Sequence, residues 1–153
     1  GGSGRELCWF PEPIGALDCY RAAHAAPIVL QRVFPEVVRI SVRRSATRRD
    51  RLTARLPMLR PPHREGGIGA LRVEVRGVAP DGGRACSVAG IAELVGTAAG
   101  ATAAAFASFA LDGRLPTGLV LPGAADLPTL ALLHQVEAYG VRLQEFTGIP
   151  TLS

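Results

Sequence analysis

Apolar and polar positions alternate most regularly where Leu71, Val73 and Val75 interleave with Arg72, Glu74 and Arg76. A period of two puts each set on its own face of a strand, one buried and one wet. Pro80-Asp81-Gly82-Gly83 then supplies the turn chemistry of a hairpin. The returning strand carries Ala85, Ser87, Ala89 and Gly90, small residues that leave room for a helix to lie close. The pattern predicts a β-hairpin over Gly69 to Glu93. It leads into a small-residue helix, Leu94 to Leu111, which Asp112-Gly113 stops.

Beyond that helix, Leu119 to Leu121 reads as a brief strand, and Asp126 as the cap of a second helix carrying Leu130, Leu133, Val136 and Glu137 at helical spacing and ended by Gly140. Val141 to Phe146 reads as a last strand. Upstream the chain is punctuated by proline. Leu7 to Phe10 is a short strand stopped by Pro11 and Pro13, and the apolar runs Ile28 to Leu30 and Val37 to Val42 continue an extended first third. Trp9 and Phe10 read as core or interface anchors. A capping box at Thr47 and Asp50 opens a helix with Leu52, Leu56 and Leu59, shortened by Pro57. The sum is an α+β fold, a mixed or antiparallel sheet with helices packed on one face. Residues 1–6 read as a flexible linker or interdomain connection and residues 7–153 as a single α+β domain.

Composition narrows the function classes. At 48% hydrophobic and 20% charged residues the chain is globular in character, far from the disordered regime. All 17 basic residues are arginine, as the codon bias of a GC-rich genome would give, which weakens the net charge of +4 as a sign of an anionic partner. Arginines nevertheless crowd the segment from Arg39 to Arg64. That cluster reads as a solvated face or as a pocket for a carboxylate or phosphate; with no recognition motif and only Phe34 nearby for stacking, no nucleic-acid partner is expected. The run Leu94 to Leu111 is charge-free, but its alanines, glycines and threonines suit a buried helix rather than a membrane span, and Gly96-x-x-x-Gly100 suggests close backbone packing. Cys8, Cys19 and Cys86 form neither a disulfide framework nor a zinc knuckle, which favours a reducing cytoplasm. His24, His63 and His134 are scattered, so no metal is expected.

Several short motifs together resemble one family. They are Trp9-Phe10-Pro11-Glu12-Pro13, Asp18-Cys19-Tyr20-Arg21, Leu59-Arg60-Pro61-Pro62, the strand from Leu71 to Gly77, Thr97-Ala98-Ala99, Leu111-Asp112-Gly113-Arg114-Leu115-Pro116 and Glu145-Phe146-Thr147-Gly148. Spread over nearly the whole chain, they are similar to the C-terminal part of saccharopine dehydrogenase/reductase-like oxidoreductases. The resemblance implies an N-terminal Rossmann domain or chain that binds NAD(P), a small anionic or amino-acid-like substrate, and a homodimer. It casts this chain as the substrate-binding and dimerisation domain. No cofactor is expected in the chain itself: Gly67-Ile68-Gly69 lacks the last glycine of the dinucleotide fingerprint, with Arg72 in its place, and runs into a strand. The absence of lysine excludes Schiff-base chemistry here.

Candidate site residues follow from that resemblance and from residue chemistry. Arg60 and Arg64 can grip a carboxylate bidentately, and His63 between them has the ordinary pKa of a proton-transfer group near neutrality. The structural alternative makes Arg60 a helix-end charge and His63 an exposed loop residue. Tyr20 either donates a hydrogen bond to substrate or belongs to the core; Thr97 either meets substrate or caps a helix. Two other classes stay open: a free-standing ligand-binding or cyclase-like module for an anionic small molecule, and a homodimerisation scaffold.

Overall fold

The computed structural model describes residues 4–46 and 67–147. The Thr47 helix and Gly148 lie outside the described residues. The described elements are β1 (Glu6–Phe10), β2 (Gly15–Arg21), α1 (Ala26–Val33), β3 (Arg43–Ser45), β4 (Ile68–Val78), β5 (Arg84–Leu94), α2 (Val95–Leu111), α3 (Thr129–Ala138) and β6 (Gln144–Thr147). The fold is α+β. In place of one sheet the described residues form two antiparallel three-stranded sheets, ordered β1-β2-β3 and β4-β5-β6.

The hairpin extends one residue further at each end than its pattern suggests. Ile68 lies opposite Leu94 and Val78 opposite Arg84, in eleven unbroken pairs. The turn is closed by the Ala79 N–H donating to the Gly83 carbonyl at 2.8 Å and braced by the Gly83 N–H donating to Asp81 Oδ1 at 2.9 Å. The sheets meet where the buried ring of Pro11 lies over Gly90. A Cβ at Gly90 would stand 2.9 Å from the Leu71 carbonyl oxygen and 3.1 Å from the proline ring, so only glycine fits.

The faces of β4 are the reverse of the expectation. Leu71, Val73 and Val75 are 58%, 52% and 61% exposed, whereas Arg72 and Glu74 on the other face are half-buried. The half-buried charges on that face are tolerated because they are paired. Glu74 pairs with Arg72 at 2.5 Å and also with Arg76. Partial burial raises the Glu74 carboxyl, but the hydrogen bonds and charges of Arg76 and Arg72 outweigh it and hold the group below the ordinary value.

Both long helices end in the same way. Gly113 and Gly140 take positive φ, and the paired bonds Gly113 N–H to Ala110, Arg114 N–H to Phe109, Gly140 N–H to Glu137 and Val141 N–H to Val136 complete Schellman turns. Arg114 lies 3.8 Å over the Phe109 ring, and Val141 is buried. Ala105 and Phe109 of α2 and Leu132 of α3 form the helical core, with Leu115, Leu127, Ala131 and Val136 around it.

Several sequence expectations are corrected. Ile28 to Leu30 lies in a helix, because Pro27 sits in its first turn and His24 Nδ1 accepts the Ala26 N–H at 3.0 Å. Val37 to Val42 forms no strand, and Val38 is fully exposed. Leu119 to Leu121, between Gly118 and Pro122, forms no strand either. Pro128, not Asp126, stands at the N-cap of α3, and the last strand begins at Gln144, not Val141. Trp9 is 66% exposed and so is no core residue. A Cβ at Gly96 or Gly100 meets nothing within 4 Å, so no backbone of the described chain packs against them.

Two outcomes follow. Phe109→Ala should destabilise the fold by about 3–5 kcal/mol, while Gly96→Ala should stabilise it by up to about 1 kcal/mol, both read from urea unfolding. The depressed Glu74 pKa stabilises the fold above the unfolded-state value of about 4.3, and that contribution is lost as pH falls through the folded-state value. Glu74→Gln should therefore lose less stability than the unsubstituted chain when melts near neutrality are compared with melts near pH 3.

Candidate functional site

Phe34, at the C-cap of α1, packs onto the segment that follows α2. Its Cζ would lie 3.0 Å from a Cβ at Gly123, and Val33 Cγ1 at 3.3 Å. This contact opens a groove of about 410 Å³ between the end of α1 and residues 117–126. Arg32, Thr117 and Asp126 line it with polar groups and the half-buried Val120 and Leu121 with apolar ones, while Leu119, which also borders it, is 96% exposed. Leu119 and Val120 also line an adjoining, more enclosed pocket of about 270 Å³ with Phe106, Leu115, Pro116, Pro122 and Leu127.

Arg32 occupies the last turn of α1, where its charge complements the negative helix end. Neither it nor Asp126 has an ion-pair partner among the described residues. An exposed guanidinium beside an apolar recess is suited to an anionic group carried on a hydrocarbon body. No sequence motif announces this groove: Arg32 and Asp126 are far apart along the chain, and the packing of Val33 and Phe34 at Gly123 brings their segments together.

The residues expected from the sequence are distributed differently. Arg60, His63 and Arg64 lie outside the described residues. Tyr20 is buried in β2, opposite Arg44, and lines neither cavity. Thr97 is exposed in the first turn of α2 and also lines neither cavity; Leu94 is the N-cap residue, and no side chain caps the helix. The structure does not bring Tyr20 and Thr97 into one site.

The Gly67-Ile68-Gly69 run is not built as a dinucleotide loop. Gly67-Ile68-Gly69 opens β4 rather than a helix, and Val95 Cγ2 occupies the space beside Gly69, 2.9 Å from where a Cβ would stand. Among the described residues no group of three or more His, Cys, Asp or Glu could hold a metal ion. In the same set, no helix is long and apolar enough to cross a membrane.

The three thiols are free and differ in environment. Cys8 and Cys19 are buried on one face of the first sheet, and Cys86 is exposed in β5. Burial pushes the Cys19 thiol up to about 11, helped by a hydrogen bond with Cys8 and opposed by the charge of Arg43. The chain matches no family model, no curated protein and no solved structure.

A thiol reagent such as DTNB should therefore titrate one fast group per folded chain, abolished by Cys86→Ser, and reach the other two only on denaturation. Fast labelling of Cys19 in the folded chain would contradict the buried environment.

Proposed function

We infer that this chain is the substrate-binding and dimerisation domain of a saccharopine dehydrogenase-like NAD(P)-dependent oxidoreductase whose Rossmann domain is a separate domain or chain. The observation that carries the reading is the apolar face of β4. Leu71, Val73 and Val75 are each more than half exposed, although their pattern is that of a covered surface. A contiguous apolar face of this kind is characteristic of a domain completed by a partner. The oxidoreductase half of the reading rests on the resemblance of the short motifs, from Trp9-Phe10-Pro11 to Glu145-Phe146-Thr147.

In this reading the hydride comes from a nicotinamide held by the Rossmann partner, and this chain binds and orients a small anionic or amino-acid-like substrate in the cytoplasm. Arg32 in the groove supplies the cationic contact, with His63, Arg60 and Arg64 as further candidates from the sequence. A second reading, a free-standing module for an anionic small molecule, is favoured by the same groove, because Arg32 and its apolar recess belong wholly to this chain.

Reduced dinucleotide fluorescence separates the two. The chain alone should leave NADH and NADPH fluorescence unchanged, and NAD(P)-dependent turnover should require a Rossmann domain joined to it. In that joined enzyme Arg32→Ala should raise KM for an anionic substrate roughly tenfold, the loss expected for about 1.4 kcal/mol of binding. Saturable binding of a reduced dinucleotide to the chain alone would overturn the assignment.

A further inference from the structure

We propose that β4 is a self-pairing edge strand: two copies of this chain join antiparallel along β4, centred on Val73, to form one continuous six-stranded sheet. The inference rests on the association half of the reading above and names the surface and register through which it occurs.

The argument begins with the backbone. β4 has one neighbour, β5, and its other edge is unpaired among the described residues. Ala79 and Gly83 form the hydrogen-bonded pair that closes the hairpin. Because such pairs alternate along an antiparallel ladder, Leu71, Val73, Val75 and Gly77 turn their N–H and C=O groups toward β5. Ala70, Arg72, Glu74 and Arg76 turn theirs outward. The result is an eleven-residue edge with no proline in it, of the kind that templates another strand.

Side chains then select the occupant and the register. With Val73 on the twofold axis, Ile68 faces the second copy's Val78 and all eleven residues pair. Arg72 lies opposite the second copy's Glu74, and Glu74 opposite its Arg72, so both charged pairs are complementary. Both partners of these pairs belong to the outward-bonding set. On the other face Val73 meets its own copy and Leu71 meets Val75, which joins the half-exposed apolar residues of the two chains into one stripe.

Neighbouring registers fail on the same criteria. Centring on Glu74 sets Glu74 against itself and Arg72 against Arg76. Centring on Arg72 sets that arginine against itself. Centring on Val75 matches Glu74 with Arg76 but leaves residues 68–71 without partners. Registers centred between residues pair an outward-bonding residue with an inward-bonding one. A self-complementary register that spans the strand end to end favours a second copy of this chain over an unrelated strand.

Light scattering on the eluting chain, with circular dichroism to check folding, tests the proposal. The unsubstituted chain should elute at twice the single-chain mass. Ala70→Pro, which removes an outward N–H and leaves the β5 ladder intact, and Glu74→Arg, which sets like charges opposite each other, should both elute as folded single chains. The exchange Arg72→Glu with Glu74→Arg restores opposite charges across the axis and should restore the dimer. A dimer that persists in all three variants overturns edge pairing and leaves association to another face. A folded unsubstituted chain that is monomeric overturns both this proposal and the dimerisation reading. Monomeric Glu74→Arg without recovery in the exchange variant overturns the Val73-centred register.

Discussion

The eleven-pair ladder between β4 and β5 is the constraint on which the other placements depend. Its register is set by the Ala79–Gly83 closure, and through it Gly90 comes to lie beneath Pro11 and Gly69 beside Val95. A slip of one residue would turn every side chain of one strand to the opposite face. It would also replace Gly90 with a residue carrying a Cβ at a point where 2.9 Å separates that atom from backbone. Because α2 follows β5 without a loop, the helix start is fixed by the same register. The helical core around Phe109 is thus positioned from the hairpin.

The inverted polarity of that hairpin explains why the chain has so modest an interior. Nine hydrophobic residues are buried and nineteen large ones are exposed among those described, so the apolar surplus lies outside. Fully burying one valine or leucine side chain contributes roughly 1.5–3 kcal/mol. Leu71, Val73 and Val75, each a little over half exposed, together hold in reserve about 2.5–5 kcal/mol of such burial. Arg72 and Glu74 can turn inward because they pair with each other, while Arg76, also bonded to Glu74, keeps the surplus charge in solvent.

Much of the fold was legible where local chemistry acts alone. The Pro80–Gly83 turn, the hairpin, the Ala-rich helix and its stop at Asp112-Gly113 fall within a residue of their expected bounds. Periodicity says which residues share a face, but not which face meets the interior; that depends on Pro11, which is remote in sequence from β4. Ile28 to Leu30 is too short a run to distinguish strand from helix, and the decision lay with Pro27 in the first turn and the hydrogen bond that His24 accepts from Ala26. The groove was not legible at all. Arg32 and Asp126 belong to no motif, and the Phe34 contact that places their segments together is purely tertiary. Arg60, His63 and Arg64 remain a sequence argument, since they lie outside the described residues.

The Pro11–Gly90 contact has a consequence for how the fold comes apart. The two sheets share no strand among the described residues, so no ladder hydrogen bond ties one to the other. Their junction consists of side-chain packing of the first sheet onto the hairpin, centred on one proline ring. Packing of this kind can be released without breaking a single rung of either ladder. Parting the two sheets would therefore leave both ladders whole, while the chain between β2 and β3 stays tied to the helical part through Val33 and Phe34 at Gly123.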